Sequence, residues 1–183
     1  MNTVSNFYLI PDGVTQTLVK HTLVEGTVLV PYDPDNTLSN QLKKHKMAVT
    51  TNKDVENILD PNWWVSMRDK KFDWVISSTV GLKEASDYIL DYGMTIAVKG
   101  IAVLDRLSFL EPVTRRRTFL LKNKLSNLVV LSPRPNFRAV GSTKDSVTSC
   151  WFVFQKPDEW VGGTMISFAV NWENIGPLPE LPT

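Results

Sequence analysis

The stretch Thr27-Val28-Leu29-Val30-Pro31-Tyr32-Asp33-Pro34-Asp35-Asn36 decides the fold class. It begins with a short apolar, mostly β-branched run, which is typical of a buried strand. Two prolines and several polar residues follow at once, and they predict a loop. The next segment, Thr37–Lys46, places Leu38 and Leu42 on one helical face and lysines on the other. A buried strand that leads through a loop into an amphipathic helix is the basic unit of an α/β sheet.

The same alternation of strands and helices continues along the chain. A helix is predicted to begin at Pro11-Asp12, ahead of the first strand, and to extend to about His21. We therefore expect a mostly parallel sheet with helices on both faces. The predicted strands are Thr27–Val30, Met47–Thr50, Phe72–Ser77, Met94–Lys99 and Leu128–Leu131, and the later helices are Leu82–Tyr92, ended by Gly93, and Thr114–Leu121. The core is expected to include Val75, Ile76, Ile96, Val98, Val129, Phe152 and Phe154.

The C-terminal part departs from this alternation. Val147–Gln155 and Met165–Val170 are predicted strands, and no helical pattern separates them. Such a connection favours an antiparallel pair at the end of the sheet. Residues 172–183 are rich in proline and are predicted to form an extended tail. The chain is thus predicted to be one α/β domain over residues 1–183, with an antiparallel strand near its C-terminus.

The composition is that of an ordinary globular protein, and it bears on several classes of function. Hydrophobic residues make up 43% and charged residues 21% of the chain, and the formal net charge is only +1. A net charge near zero gives no general attraction to nucleic acid, so such a contact must come from a local basic patch. Two histidines and one cysteine cannot build an ordinary zinc site, so no metal is expected. Cys150 is expected to be an inert core residue.

The sequence predicts neither export nor membrane insertion. No stretch approaches the ~20 apolar residues that are needed to span a bilayer. Residues 1–8 lack the basic segment and apolar run of a signal peptide. A single cysteine excludes an internal disulfide and fits a reducing compartment. These features favour a cytoplasmic location.

Four separated segments carry a resemblance to a known family. They are Leu107-Ser108-Phe109-Leu110-Glu111-Pro112, Arg115-Arg116-Arg117-Thr118-Phe119-Leu120, Leu131-Ser132-Pro133-Arg134-Pro135-Asn136-Phe137 and Trp151-Phe152-Val153-Phe154. In order and spacing, they resemble the second half of small phage and prophage DNA adenine methyltransferase-like proteins. The opening helix and first strand also resemble that family, so the likeness extends from about Tyr8 to Trp172. It implies a Rossmann-like fold of the class I methyltransferases, S-adenosylmethionine as cofactor and a location in the host cytoplasm.

The resemblance implies that the loop after the first strand holds the cofactor. The family usually has Ala-Gly-Asp-Gly-type residues there, because glycines let the backbone approach the methionine part of the cofactor. This chain has Tyr32, Asp33, Pro34, Asp35 and Asn36 instead, with Pro34 and Asn36 at the glycine positions. Asparagine tolerates the left-handed backbone conformation, but proline cannot adopt it. Two interpretations follow: a reshaped cofactor pocket, or a plain turn whose Asp and Asn residues cap the next helix.

An acidic residue after the second strand is implied as the partner of the cofactor's ribose. Asp54, in the polar segment Asn52–Pro61, is the natural candidate, and the alternative is a solvated loop acid. That segment is predicted to be a loop.

The family's catalytic signature, Asn/Asp-Pro-Pro-aromatic, falls on Ser78-Thr79-Val80-Gly81. In that signature, a side-chain oxygen and a backbone carbonyl accept the hydrogens of the target amine, and the ring stacks on the flipped base. Ser78 can accept one hydrogen bond, whereas Thr79 and Val80 replace the two prolines. Gly81 supplies no ring. These changes predict the loss of adenine methylation.

Two other groups of residues are candidates for binding partners. Arg134, Phe137 and Arg138 combine charge with a ring, and the resemblance places their loop beside the substrate pocket, where they would contact nucleic acid. Packing of Phe137 in the core is an equal alternative. Trp63-Trp64 is predicted to lie in a strand, so one ring would be exposed and could anchor a second subunit; burial of both rings is the alternative.

Two functions are consistent with these features. The first is a catalytically degenerate methyltransferase homologue that acts as an interaction or regulatory module, through a dimer surface or weak nucleic-acid contact. The second is a divergent but active S-adenosylmethionine-dependent methyltransferase that acts on nucleic acid. Binding of the cofactor would distinguish the two.

Overall fold

The computed structural model describes residues 9–111, 114–137 and 147–174. In these ranges, helices alternate with strands through most of the chain, and three strands follow the last α-helix. The helices are α1 (Asp12–His21), α2 (Thr37–Lys44), α3 (Val55–Leu59), α4 (Pro61–Arg68), α5 (Lys83–Ile96) and α6 (Thr114–Lys122). The strands are β1 (Thr27–Val30), β2 (Ala48–Thr51), β3 (Trp74–Ser78), β4 (Gly100–Arg106), β5 (Leu125–Ser132), β6 (Ser149–Gln155) and β7 (Met165–Val170).

The seven strands form one sheet in the order β2-β1-β3-β4-β6-β5-β7. β6 runs antiparallel to both of its neighbours, and the other strands all run in the same direction. Apolar side chains of α1 and α2 pack on one face, and those of α4, α5 and α6 pack on the other. The predicted α/β sheet, mostly parallel with helices on both faces and an antiparallel strand near the C-terminus, is confirmed.

The topology also indicates where a ligand is expected to bind. The connection after β1 leads outward to β2, whereas the connection after β3 leads the other way, to β4. The sheet therefore has its switch point between β1 and β3, and a crevice is expected at their carboxyl ends.

The predicted strand Met94–Lys99 is wrong. α5 continues past Gly93 to Ile96, and the strand begins only at Gly100. Gly93 does not end the helix; a Cβ added there would lie 3.2 Å from the Cγ1 atom of Val75. The glycine thus allows α5 to approach the sheet closely. A glycine here is typical of a helix C-cap, but in this protein it serves the packing of the helix.

Val98 is a misplaced core residue for the same reason. It lies in the connection between α5 and β4 and is 52% exposed. The other predicted core residues are buried: Val75, Ile76, Ile96, Val129, Phe152 and Phe154.

The segment Asn52–Pro61 is not a loop throughout, because it contains α3 and the start of α4. The carboxylates of Asp54 and Asp60 cap these helices by accepting the backbone N–H groups of residues 56 and 62. Trp63 and Trp64 therefore lie on a helix and not in a strand. Trp64 is fully buried and Trp63 is half-buried against the same core, as in the alternative in which both rings pack inward.

The predicted pairing of the last two strands with each other is also wrong. β6 lies between β4 and β5, and β7 pairs in parallel with β5 at the edge of the sheet. Six of the seven residues of β6 are buried, so this strand requires neighbours on both sides and helices on both faces. β7 exposes most of its residues, as an edge strand can.

Two further predictions concern single positions in this part of the fold. Cys150 in β6 is buried, and burial raises the pKa of its thiol to about 11, which agrees with an inert core residue. In the predicted extended tail, residues 172–174 form a 3₁₀ turn with Trp172 buried, and residues 175–183 lie outside the described ranges. No described helix is long and apolar enough to cross a membrane.

Candidate functional site

Hydrogen bonds join the loops at the carboxyl ends of β1 and β2. The backbone N–H of Asp33, after β1, donates to the carbonyl of Asn52, after β2, at 2.9 Å. In return, the N–H of Asn52 donates to the carbonyl of Val30 at 3.2 Å, and its side-chain amide donates to that of Pro31 at 3.0 Å. Asn52 thus ties two loops together, a role that its place in a polar segment did not indicate.

Asp33 closes the start of α2. Its carboxylate accepts the backbone N–H of Ser39 at 2.7 Å and that of Leu38 at 3.3 Å. The side chain is buried, and burial raises the pKa of Asp33 above its ordinary value, although the hydrogen bonds from Ser39 and Leu38 oppose that rise. The positive end of the helix is therefore occupied by a carboxylate from the chain itself.

Asp35 and Asn36 complete the same turn. The carboxylate of Asp35 accepts both the backbone N–H of Thr37, at 3.1 Å, and its hydroxyl, at 2.7 Å. Asn36 has a φ of 57°, in the left-handed region that the sequence led us to expect it to tolerate. Its N–H donates to the carbonyl of Asp33 at 3.1 Å. The loop thus has the geometry of the capped turn, the second of the two interpretations.

The other two cofactor candidates have structural contacts as well. Asp54 is exposed, and its carboxylate accepts the N–H of Glu56 at 3.0 Å, which makes it the N-cap of α3. Tyr32 is half-buried and packs against the core on the α5 face of the sheet.

At the end of β3, Ser78 and Thr79 have different environments. The Ser78 hydroxyl is buried and has no hydrogen-bond partner among the described residues. The Thr79 hydroxyl donates to the carboxylate of Asp105 at 2.7 Å, and its N–H donates to the carbonyl of Leu104 at 3.0 Å. Asp105, at the end of β4, is a contact that the sequence did not indicate, because the strand itself was predicted in another place.

The next two residues of the signature differ in their exposure to solvent. Val80 is buried, whereas Gly81 is exposed and has a φ of 82°. A ring at position 81 would require a backbone conformation that side chains rarely adopt.

The residues predicted to contact nucleic acid follow β5, and the carboxyl end of this strand lies on the same side of the sheet as those of β1 and β3. Phe137 is buried in the core on the α1 face, and its carbonyl accepts the N–H of Leu9 at 3.0 Å. Arg134 is exposed, and Arg138 lies outside the described residues. The packing alternative for Phe137 is therefore the one that the structure has, and its ring is not presented at the surface.

The turn after β1 has few unpaired backbone donors to offer S-adenosylmethionine. The backbone N–H groups of Asp33, Asn36, Thr37, Leu38 and Ser39 all have acceptors within the chain, and Pro34 has no N–H to donate. Among the residues that the structure describes, no group of three or more His, Cys, Asp or Glu residues is arranged to hold a metal ion.

The comparisons with known proteins complete this description. No family model and no curated protein matches the chain. Among solved structures, the chain is similar to a TehB-like SAM-dependent methyltransferase from Corynebacterium glutamicum, at 10% sequence identity and a TM-score of 0.48. The match covers 79% of this chain and 87% of that one. The roles of individual residues therefore depend on the geometry of this chain.

Proposed function

We propose that this protein is a methyltransferase-fold protein of phage type that does not methylate adenine and acts in the host cytoplasm as an interaction or regulatory module. The turn after β1 is the observation that carries the proposal. The carboxylate of Asp33 binds two N–H groups at the start of α2, and that of Asp35 binds a third. Donors that a cofactor would use are thus already paired within the chain.

The position of the catalytic signature supports the same proposal. Thr79 is engaged with Asp105, and Gly81 supplies no ring on which a flipped base could stack. Methyl transfer to a ring amine needs acceptors for the amine hydrogens. Ser78 supplies one side-chain acceptor where the family has a rigid Pro-Pro turn as well.

A second function, a divergent but active methyltransferase acting on nucleic acid, is favoured by one observation. The hydroxyl of Ser78 is buried at the carboxyl end of β3 without a partner among the described residues. A buried unpaired polar group costs roughly 1–3 kcal/mol, so a ligand contact would give a reason for its presence.

Titration calorimetry with S-adenosylmethionine and S-adenosylhomocysteine tests the two functions. We expect no saturable binding by the unmodified protein and no transfer of a labelled methyl group to adenine-containing DNA. Micromolar binding would favour the second function, and methyl transfer to adenine would contradict the first.

A pair of variants separates cofactor binding from catalysis. Pro34→Gly with Asn36→Gly restores a backbone donor and the flexibility of the loop, and it is expected to recover cofactor binding without activity on DNA. Ser78→Ala is the matched test of the second function. It abolishes activity if the hydroxyl contacts substrate, whereas the first function predicts a neutral or stabilising effect, because an unpaired buried hydroxyl is removed.

A further inference from the structure

A cavity of about 510 Å³ lies at the ends of the strands that are opposite to the candidate site. It opens where β6 ends, next to the start of β4, since Gln155 pairs with Gly100. Its volume is within the roughly 300–1,000 Å³ of small-molecule sites. None of the residues that line it belongs to the loops that follow β1 and β3.

The lining of this cavity is basic. Lys122, Lys124 and Lys156 line it, and no acidic residue of the described ranges does. Burial raises the pKa of nearby Asp91, and attraction by Lys122 opposes that rise, so Lys122 has an acidic neighbour. Lys124 and Lys156 form no ion pair within the described part of the chain. Two cations without a structural partner therefore face one cavity.

Among the described residues, neither Lys124 nor Lys156 donates a side-chain hydrogen bond to a carbonyl of α6. Lysines near the end of a helix often complement its negative carbonyl end. In this protein, Asn123 satisfies the carbonyl of Phe119 instead, through its backbone N–H at 2.9 Å and its side-chain amide at 3.0 Å.

Trp160 is the aromatic component of the cavity. Four of the six tryptophans are buried and Trp63 packs against the core, whereas Trp160 belongs to neither core cluster. Its ring is nevertheless held in place: the indole N–H donates to the carbonyl of Gly163 at 3.2 Å. In addition, a Cβ added at Gly162 would lie 3.0 Å from the ring. Core packing therefore does not explain this residue.

We propose that the cavity binds a nucleotide unit, with its phosphate between Lys124 and Lys156 and its base stacked on Trp160. Lysine ammonium groups bind phosphate as point charges. An aromatic ring beside such cations stacks on bases with little regard to sequence. Because the whole chain has a net charge of only +1, the attraction is local to this cavity. The site does not depend on the proposed loss of methyltransferase activity.

Calorimetry with adenosine monophosphate, adenosine and inorganic phosphate tests the site. We expect the monophosphate to bind more tightly than either of its parts. Trp160→Leu should weaken its binding about tenfold, and Trp160→Phe, which keeps a ring, should weaken it less. Lys124→Gln and Lys156→Gln should each weaken binding, whereas the exposed Lys53→Gln, at the opposite edge of the sheet, should not.

Two other arms identify the source of the nucleotide. A short single-stranded oligonucleotide that binds at least tenfold more tightly than the monophosphate indicates a nucleic-acid strand. In that case, the slope of the logarithm of the binding constant against the logarithm of the salt concentration should decrease in magnitude by about 0.7 for each lysine removed. Equal affinities indicate a free nucleotide. The proposal is overturned if the monophosphate does not bind at millimolar concentration, if phosphate binds equally well, or if neither Trp160 variant alters affinity while circular dichroism shows that both are folded.

Discussion

At the scale of one residue, Asp33 shows how a loop side chain can stabilise the helix that follows it. The first N–H groups of a helix lack partners within the helix, and a carboxylate satisfies them well. Asp33 reaches Leu38 and Ser39 from the preceding loop, and these charge-assisted hydrogen bonds offset part of the cost of its burial. The same contacts withdraw those donors from any ligand.

Asp33→Ala should therefore lower the free energy of unfolding by about 1–2 kcal/mol, because it leaves the helix N-terminus without its cap. Asp33→Asn retains an acceptor and should cost less. The raised pKa of Asp33 adds a dependence on pH: the native state binds the proton more readily than the unfolded state does. Its contribution to stability is thus largest below the ordinary value of 3.8 and falls as the pH rises through the raised pKa.

Urea unfolding of both variants and the parent across this pH range measures these effects. The free energy of unfolding of the Asn variant, relative to that of the parent, should increase as the pH rises, because the variant carries no titrating group at this position. Equal stability of the Ala variant and the parent would show that Asp33 does not cap α2.

At the scale of the element, β6 is the strand on which the C-terminal half of the sheet depends. It pairs with β4 and β5 at once, and Phe152 lies with its ring centroid 4.7 Å from that of Phe109. Phe152→Ala should lower the free energy of unfolding by about 3–5 kcal/mol. Val98→Ala is the matched control at an exposed position and should change it by less than about 0.5 kcal/mol. Thermal melts of both variants check this, and a shift of under a degree or two for Phe152→Ala would contradict the packing of the strand.

The approach of α5 to the sheet is a second property at this scale. A side chain at Gly93 must displace Val75 or Ile101, which are both fully buried. Gly93→Val should therefore destabilise the protein by about 1–3 kcal/mol through overpacking. Gly163→Ala, where an added Cβ meets nothing within 4 Å, is the control and should be close to neutral. Denaturant unfolding compares the two, and equal effects would show that the contact of α5 with the sheet is loose.

At the scale of the whole molecule, the protection of backbone amides from hydrogen exchange should follow the order of the strands in the sheet. β1, β3, β4, β5 and β6 have a neighbour on each side, whereas β2 and β7 lie at the edges. Hydrogen exchange measured by mass spectrometry should find the slowest amides in the five inner strands and faster exchange in the two edge strands. Uniform protection across β7 and β4 would indicate that another surface covers the β7 edge.

Local patterns in the sequence determined much of the fold. The apolar runs of β1 and β3, the proline before α1 and the apolar face of α2 are properties of neighbouring residues, and each gave an element with bounds correct to within a few residues. The absence of a helix between the last two strands likewise indicated an antiparallel strand. In the candidate site, the same locality predicted that Asn36 could adopt a left-handed conformation and that Asp and Asn residues could cap the next helix.

Contacts between distant parts of the chain were decided only by the tertiary structure. The insertion of β6 between β4 and β5, the packing of Gly93 against Val75 and the burial of Phe137 each depend on a neighbour far away in sequence. The same is true of the cavity, which brings together Lys124 and Trp160 from separate segments. Residue type and spacing specify which side chains prefer burial or water. Which surface meets which is set by the pairing and packing of whole elements, and a local pattern cannot carry that information.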